Sequence, residues 1–142
     1  MIEEQGADRV IVTGPDELNE QLGDFEPTVV LDALGHGFVE PAVEALAVRG
    51  RLVVYGTSAG PEVTFNLRRL YRKRISLLGY GGTALTREER RDGTQRALQA
   101  LARGELKLPI DDPLALEQVN EAFERLASRS VRGKLLLDLD DG

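Results

Sequence analysis

The chain has no cysteine and a single histidine. Without cysteine there is no disulfide, no thiol nucleophile and no thiolate metal site. With one histidine as the remaining soft donor, no zinc site is expected in this chain, although carboxylates remain for weak binding of a harder ion. Long apolar runs are also missing. The longest resemble LLLDL at residues 135–139, far short of the roughly 20 residues that span a bilayer. No basic stripe is present either. Eighteen basic residues against 24 acidic ones leave a net charge of −6, which speaks against nucleic acid or anionic membrane as partner. Residues 1–4, MIEE, carry acid where the start of a signal peptide needs base, so the expected location is cytoplasmic.

What is there is ordinary for a soluble globular protein. The 142 residues are 42% hydrophobic and 30% charged, enough for one domain with a real core. Elements alternate along the chain. Residues 8–13, DRVIVT, read as a strand. Residues 15–22 read as a small helix, with Pro15 early and Asp16 and Glu17 in its positive first turn. Residues 28–32, TVVLD, are nearly all apolar, which predicts a strand covered on both faces. A helix over 38–48 ends at Gly50, and a strand over 51–55 stops at Gly56. Gly60-Pro61 punctuates a loop over 57–66. A short basic helix over 67–73 and a strand over 75–78 follow. Thr86-Arg87-Glu88-Glu89 is a capping box that opens a long helix closed by Gly104. Leu116, Val119, Phe123 and Leu126 share one face of another helix, and 134–139 reads as a last strand.

This alternation predicts an α/β fold with a mostly parallel sheet. In such sheets ligands sit beyond the carboxyl ends of the strands. Three predicted strands end in glycine, at ALG 33–35, YGT 55–57 and GYGG 79–82. Glycine lets backbone approach a ligand closely, because no Cβ intervenes. Three such ends on neighbouring strands point to a shared cleft; the plainer alternative is three tight strand-to-helix turns. Asp32 and His36 flank the first of them. An acid/base pair needs a nucleophile or labile proton within reach, and no motif supplies one. Asp32 is therefore expected to cap its loop and His36 to be an exposed turn residue, with no catalytic residue assigned. The basic residues Arg68, Arg69, Arg72, Lys73 and Arg74 read as a solvated helix face.

The order of the pieces carries a resemblance. GADRVIV, TVVLDALG, AVRGRLVVYGTS, RISLLGYGG and LEQVNEAFERLASRSVRGKLLL resemble, over residues 6–139, the C-terminal half of a medium-chain dehydrogenase/reductase. That superfamily includes zinc-type alcohol dehydrogenases and zinc-free quinone oxidoreductases, and FNLRRLYRKRISLLGY is more similar to the latter. The resemblance implies a single incomplete dinucleotide-binding domain over 1–142. Its fold would be a partial doubly wound, Rossmann-type sheet lacking its first two strands. Residues 1–6 are similar to the last turn of a helix with its closing glycine. No G-x-G-x-x-G occurs, so the phosphate turn is missing and cofactor binding is open to loss.

The resemblance also implies roles. Ala33, Leu34 and Gly35 would line the nicotinamide-ribose end of NAD or NADP. Tyr55, Gly56 and Thr57 would meet the nicotinamide and its carboxamide. Leu78, Gly79 and Tyr80 would offer main-chain groups to that carboxamide, which presents one acceptor and two donors. Arg132 would reach the pyrophosphate. The implied chemistry is hydride transfer between NAD(P)H and a carbonyl, alcohol, quinone or enone, in a fragment expected to be inactive without a complementary N-terminal half. The implied partners are a second copy, joined through strand 75–79, or that complementary chain at the open edge of TVVLD. Two other classes remain: a non-catalytic sheet-edge assembly module and, third, a methyltransferase-like domain suggested by EALAVRGRLVVYG.

Overall fold

Three short apolar runs become the strands of one parallel sheet. The computed structural model describes residues 6–128 and 130–139. Of the helix end expected at residues 1–6, all but Gly6 lies outside them. The chain forms two compact units, divided between Leu85 and Thr86.

The first unit contains α1 (Leu18–Leu22), β1 (Val29–Asp32), α2 (Val39–Ala45), β2 (Arg51–Val54), α3 (Leu67–Lys73) and β3 (Ser76–Gly79). Strand order is β1-β2-β3, parallel throughout, with Asp32 opposite Val54 and Val54 opposite Gly79. Helices α2 and α3 make the two crossovers. This is the expected partial Rossmann-type sheet. Its core follows from spacing: Val39, Ala42, Val43 and Leu46 recur at helical period and are buried together with Leu52 and Ile75. Leu46 and Leu52 keep no exposed surface, and burial of each side chain contributes roughly 1.5–3 kcal/mol. Lys73 locks one crossover to the other. Its ammonium donates to the carbonyls of Glu44 and Leu46, both at 2.7 Å, at the negative end of α2. Asn66 caps α3 by accepting from Arg68 N–H at 3.0 Å.

Two expectations need correction here. Residues 8–13 are not a strand: they make no ladder, and Val12 is 96% exposed. Their apolar pattern suits a strand, but no strand of this unit lies beside them to pair with. β1 is not covered on both faces. Val30 packs on the core, whereas Val29 and Leu31, on the opposite face, are exposed. The crossover helices of this unit bury one side of the sheet.

The second unit contains α4 (Arg87–Ala102), β4 (Leu114–Ala115), α5 (Val119–Ala127) and β5 (Leu137–Asp138). The expected capping box is present: Glu89 N–H donates to Thr86 Oγ1 at 3.2 Å, and Thr86 N–H donates to Glu89 Oε2 at 2.8 Å. That N–H, followed by the Thr86 hydroxyl, holds the Glu89 carboxyl below its ordinary pKa. The last strand does not extend the three-stranded sheet. It is only two residues long and pairs with β4 in a separate parallel ladder, next to an Ile110–Lys134 bridge. Asp111 ties this region together, accepting from Arg132 N–H at 2.8 Å, Asp112 N–H at 2.9 Å and Arg125 Nη2 at 3.0 Å. The Arg132 N–H, then that of Asp112, lowers the Asp111 pKa.

Candidate functional site at the strand tips

The register sets the site. Because Asp32, Val54 and Gly79 are aligned, the residues after them leave the sheet side by side. Tyr55 N–H donates to Asp32 C=O at 2.8 Å and Tyr80 N–H to Val54 C=O at 2.9 Å, carrying the ladder one step past each strand. Nine of the ten sequence-predicted residues therefore belong to three adjacent tips: Ala33, Leu34 and Gly35; Tyr55, Gly56 and Thr57; Leu78, Gly79 and Tyr80. Arg132 belongs to the second unit, where its backbone N–H is held by Asp111.

The first tip is closed from within. Buried Asp32 turns its carboxylate on the loop that follows, accepting from Leu34 N–H at 2.9 Å and from Gly35 N–H at 3.1 Å. This is the loop cap the sequence suggested, and it uses both carboxylate oxygens. Gly35 has φ +77°, and a Cβ there would stand 2.5 Å from the Gly60 carbonyl oxygen. Only glycine fits. A Cβ at Gly56 would likewise meet the Ala33 carbonyl oxygen at 2.8 Å.

A second loop folds back onto this one. Ser58 N–H and Oγ both donate to Ala33 C=O at 3.2 Å, Ala59 N–H donates to Leu34 C=O at 2.8 Å, and His36 N–H donates to Gly60 C=O at 3.0 Å. The His36 ring joins them, its Nδ1 lying 2.9 Å from the Glu62 carbonyl oxygen. A carbonyl only accepts, so Nδ1 carries the proton in this bond. Sequence reasoning took residues 57–62 for connecting loop and missed this clasp. Gly60-Pro61 signals a turn, but nothing local says where the turn docks.

The three glycine tips thus differ. Gly35 and Gly56 serve close packing of backbone on backbone. Gly79 and Gly82 have nothing within 4 Å of a would-be Cβ and leave the third tip open. The Ala33 carbonyl, both main-chain groups of Leu34 and Gly35, and Tyr80 N–H are occupied by the chain itself. What the tips present outward is apolar and aromatic surface: Leu34, Tyr55, Leu78 and Tyr80 are all exposed. A flat ring can lie on such a surface, with the open backbone around Gly79 beside it. A polar cleft of about 390 Å³ lies elsewhere, where the chain enters β1, lined by Asn19, Phe25, Glu44 and Arg69. It holds none of these residues.

Residues 5–137 match the zinc-binding dehydrogenase family. The chain belongs to that family, as its resemblance to medium-chain dehydrogenases/reductases implied. This zinc-binding dehydrogenase domain is 31% identical over 130 residues to a quinone oxidoreductase of Salmonella typhimurium, covering 86% of this chain and 39% of that protein. It is 29% identical over 133 residues to an acryloyl-coenzyme A reductase of Metallosphaera sedula, covering 92% of this chain and 37% of that one. Among solved structures, Escherichia coli quinone oxidoreductase complexed with NADPH superposes with a TM-score of 0.65 at 28% identity, covering 86% of this chain and 39% of that one. The chain therefore spans about two fifths of the length of the curated relatives it matches. The family's description names zinc. Among the described residues no group of three or more histidine, cysteine, aspartate or glutamate side chains is placed to hold a metal ion.

Proposed function

We propose that the strand tips form the nicotinamide-side wall of an NAD(P)H-dependent oxidoreductase, acting on a carbonyl, alcohol, quinone or enone. The alignment of Asp32, Val54 and Gly79 carries this reading, because it sets three tips on one rim. Leu34, Tyr55, Leu78 and Tyr80 supply surface for the nicotinamide ring. The Asp32 cap and the Ser58–Glu62 clasp hold that surface rigid before any ligand arrives, which spares an ordering cost on binding. Open backbone around Gly79 lets a carboxamide approach. When bound, the cofactor supplies the hydride; the chain supplies orientation and exclusion of water. The relatives favour this reading, one of them being a quinone oxidoreductase solved with NADPH.

The test is a fluorescence titration of the full chain with NADPH and then NADH. Saturable binding that is weakened by Tyr80→Ala or Leu34→Asp supports the reading; a flat titration up to millimolar cofactor sinks it.

Partners follow from the two open edges. All four residues of β3 are exposed, which suits pairing with β3 of a second copy. β1 is an edge strand of its sheet, which suits a complementary chain of the same family. Light scattering at increasing concentration tests the first: a species that stays monomeric removes it.

A further inference from the structure

The charge pattern of α3 works against the folding of that helix. We propose that α3 holds the dianionic phosphate group of a small molecule, in a hollow lined by Asn66, Arg68, Arg69, Arg72 and Lys73. None of the strand-tip residues lines this hollow, so the site stands apart from the cofactor reading.

Positive charge is concentrated in one stretch of an acidic chain. Seven of the 18 basic residues fall between positions 49 and 74, where Glu62 is the one acid. Five of the seven belong to α3 and the residue that ends it, Arg74. On so short a helix this is unfavourable. Arg68 and Arg72 are four residues apart, as are Arg69 and Lys73, and like charges at that spacing repel. The first turn has no acid, and Arg68 and Arg69 stand there at the positive end of the helix. A helix face that served solubility alone would mix the two signs.

Only part of this charge is answered. Arg69 Nε lies 3.6 Å from Glu44 Oε1, and Lys73 Nζ lies 3.9 Å from Glu26 Oε1. The two carbonyls that accept from the Lys73 ammonium fix that side chain as one wall of the hollow. Arg68 and Arg72 form no ion pair among the described residues.

The hollow measures about 340 Å³. That lies near the lower end of the roughly 300–1,000 Å³ that small-molecule sites occupy. Its walls offer donors. Arginine and lysine carry no acceptor, and Asn66 spends its carbonyl oxygen on Arg68 N–H at 3.0 Å, which leaves its NH₂. The matching ligand accepts several hydrogen bonds and is negative. Two unanswered guanidinium groups call for two negative charges, and a phosphate monoester carries about −1.5 to −2 at neutral pH. Guanidinium forks also grip phosphate oxygens in pairs.

The test is an NMR titration of the full chain with inorganic phosphate and, separately, with glycerol phosphate, ionic strength being held constant with chloride. The backbone amides of residues 66–73 should shift saturably with either anion and stay still in chloride alone. The tighter of the two tells a free phosphate from a phosphate ester. The double variant Arg68→Gln, Arg72→Gln removes the unanswered charge. It should weaken both anions at least about tenfold, and it should raise the melting temperature of the ligand-free chain because the repulsion goes too. Arg68→Lys with Arg72→Lys keeps the charge without the forks and should restore only part of the binding. Shifts that fail to saturate by tens of millimolar, that fall outside α3, or that survive the glutamine variant overturn the proposal. So does a single-stranded oligonucleotide that binds α3 more tightly than either anion, since that marks an open polyanion surface. Should the glutamine variant fail to fold, the titrations of the unaltered chain decide alone.

Discussion

The two units of this chain are ordered in different ways. The first has a core: α2 lays four apolar residues at helical spacing onto Leu52 and Ile75. In the second, Leu114 and Ala122 are the buried hydrophobic residues among those described, while Leu116, Phe123, Leu126 and Leu139 are exposed. Its order comes instead from separate polar and backbone contacts: the Thr86–Glu89 box, the Asp111 hub that joins Asp112, Arg125 and Arg132, and the β4–β5 ladder. Apolar burial is non-directional and cooperative, whereas a helix cap adds about a kilocalorie over one turn and a carboxylate hub ties only the few groups that donate to it. The first unit should therefore melt as a body and the second should loosen piece by piece.

Breaking the core gives the largest effect. Leu52→Ala is expected to destabilise the first unit by about 2–5 kcal/mol. Urea unfolding followed by amide exchange should show loss at β1–β3 with little change in α4; equal loss in both would mean one cooperative body. Next is the tip. Gly35→Ala places a methyl against the Gly60 carbonyl at φ +77°, with an expected cost of about 1–3 kcal/mol and exposure of Ala59 N–H and His36 N–H to exchange.

Smaller effects sharpen the contrast from the other side. Thr86→Ala should fray the start of α4 at about 1 kcal/mol, seen as faster exchange over its first turn with the first unit's melting unchanged. Acid comes last. Asp111 and Glu89 both titrate below their ordinary values when folded, so their stabilisation is complete above roughly pH 4 and is lost as pH falls through the lower folded values. Circular dichroism between pH 5 and 2 should show helix loss that Asp111→Asn and Glu89→Gln shift in onset; an unshifted curve would mean that neither carboxylate holds the second unit.

Much of the architecture could be read from residues alone, for identifiable reasons. The helical spacing of Val39, Ala42, Val43 and Leu46, the cap at Thr86 and the glycines after each strand are local signals, and the elements formed where they pointed. Asp32 was readable as a cap because an aspartate two residues before backbone N–H groups can turn on them itself. What failed was non-local. The DRVIVT segment has strand composition, but a ladder needs a neighbour. The final strand has the right residues, yet its partner is Leu114–Ala115 rather than the main sheet. The clasp of Ser58 to Glu62 on the first tip was invisible because it depends on where two distant loops meet. The site residues were gathered by family order and not by spacing, which says nothing about the hydrogen bonds already made at Ala33, Leu34 and Tyr80.

The uncovered rim of β1 has a consequence for handling the protein. Folding of one chain is a first-order process, while capture of a bare strand rim by another chain is second order. Recovery after dilution from denaturant should therefore decline as the starting protein is made more concentrated, and a lysine introduced at Leu31 should restore it without touching the buried interior.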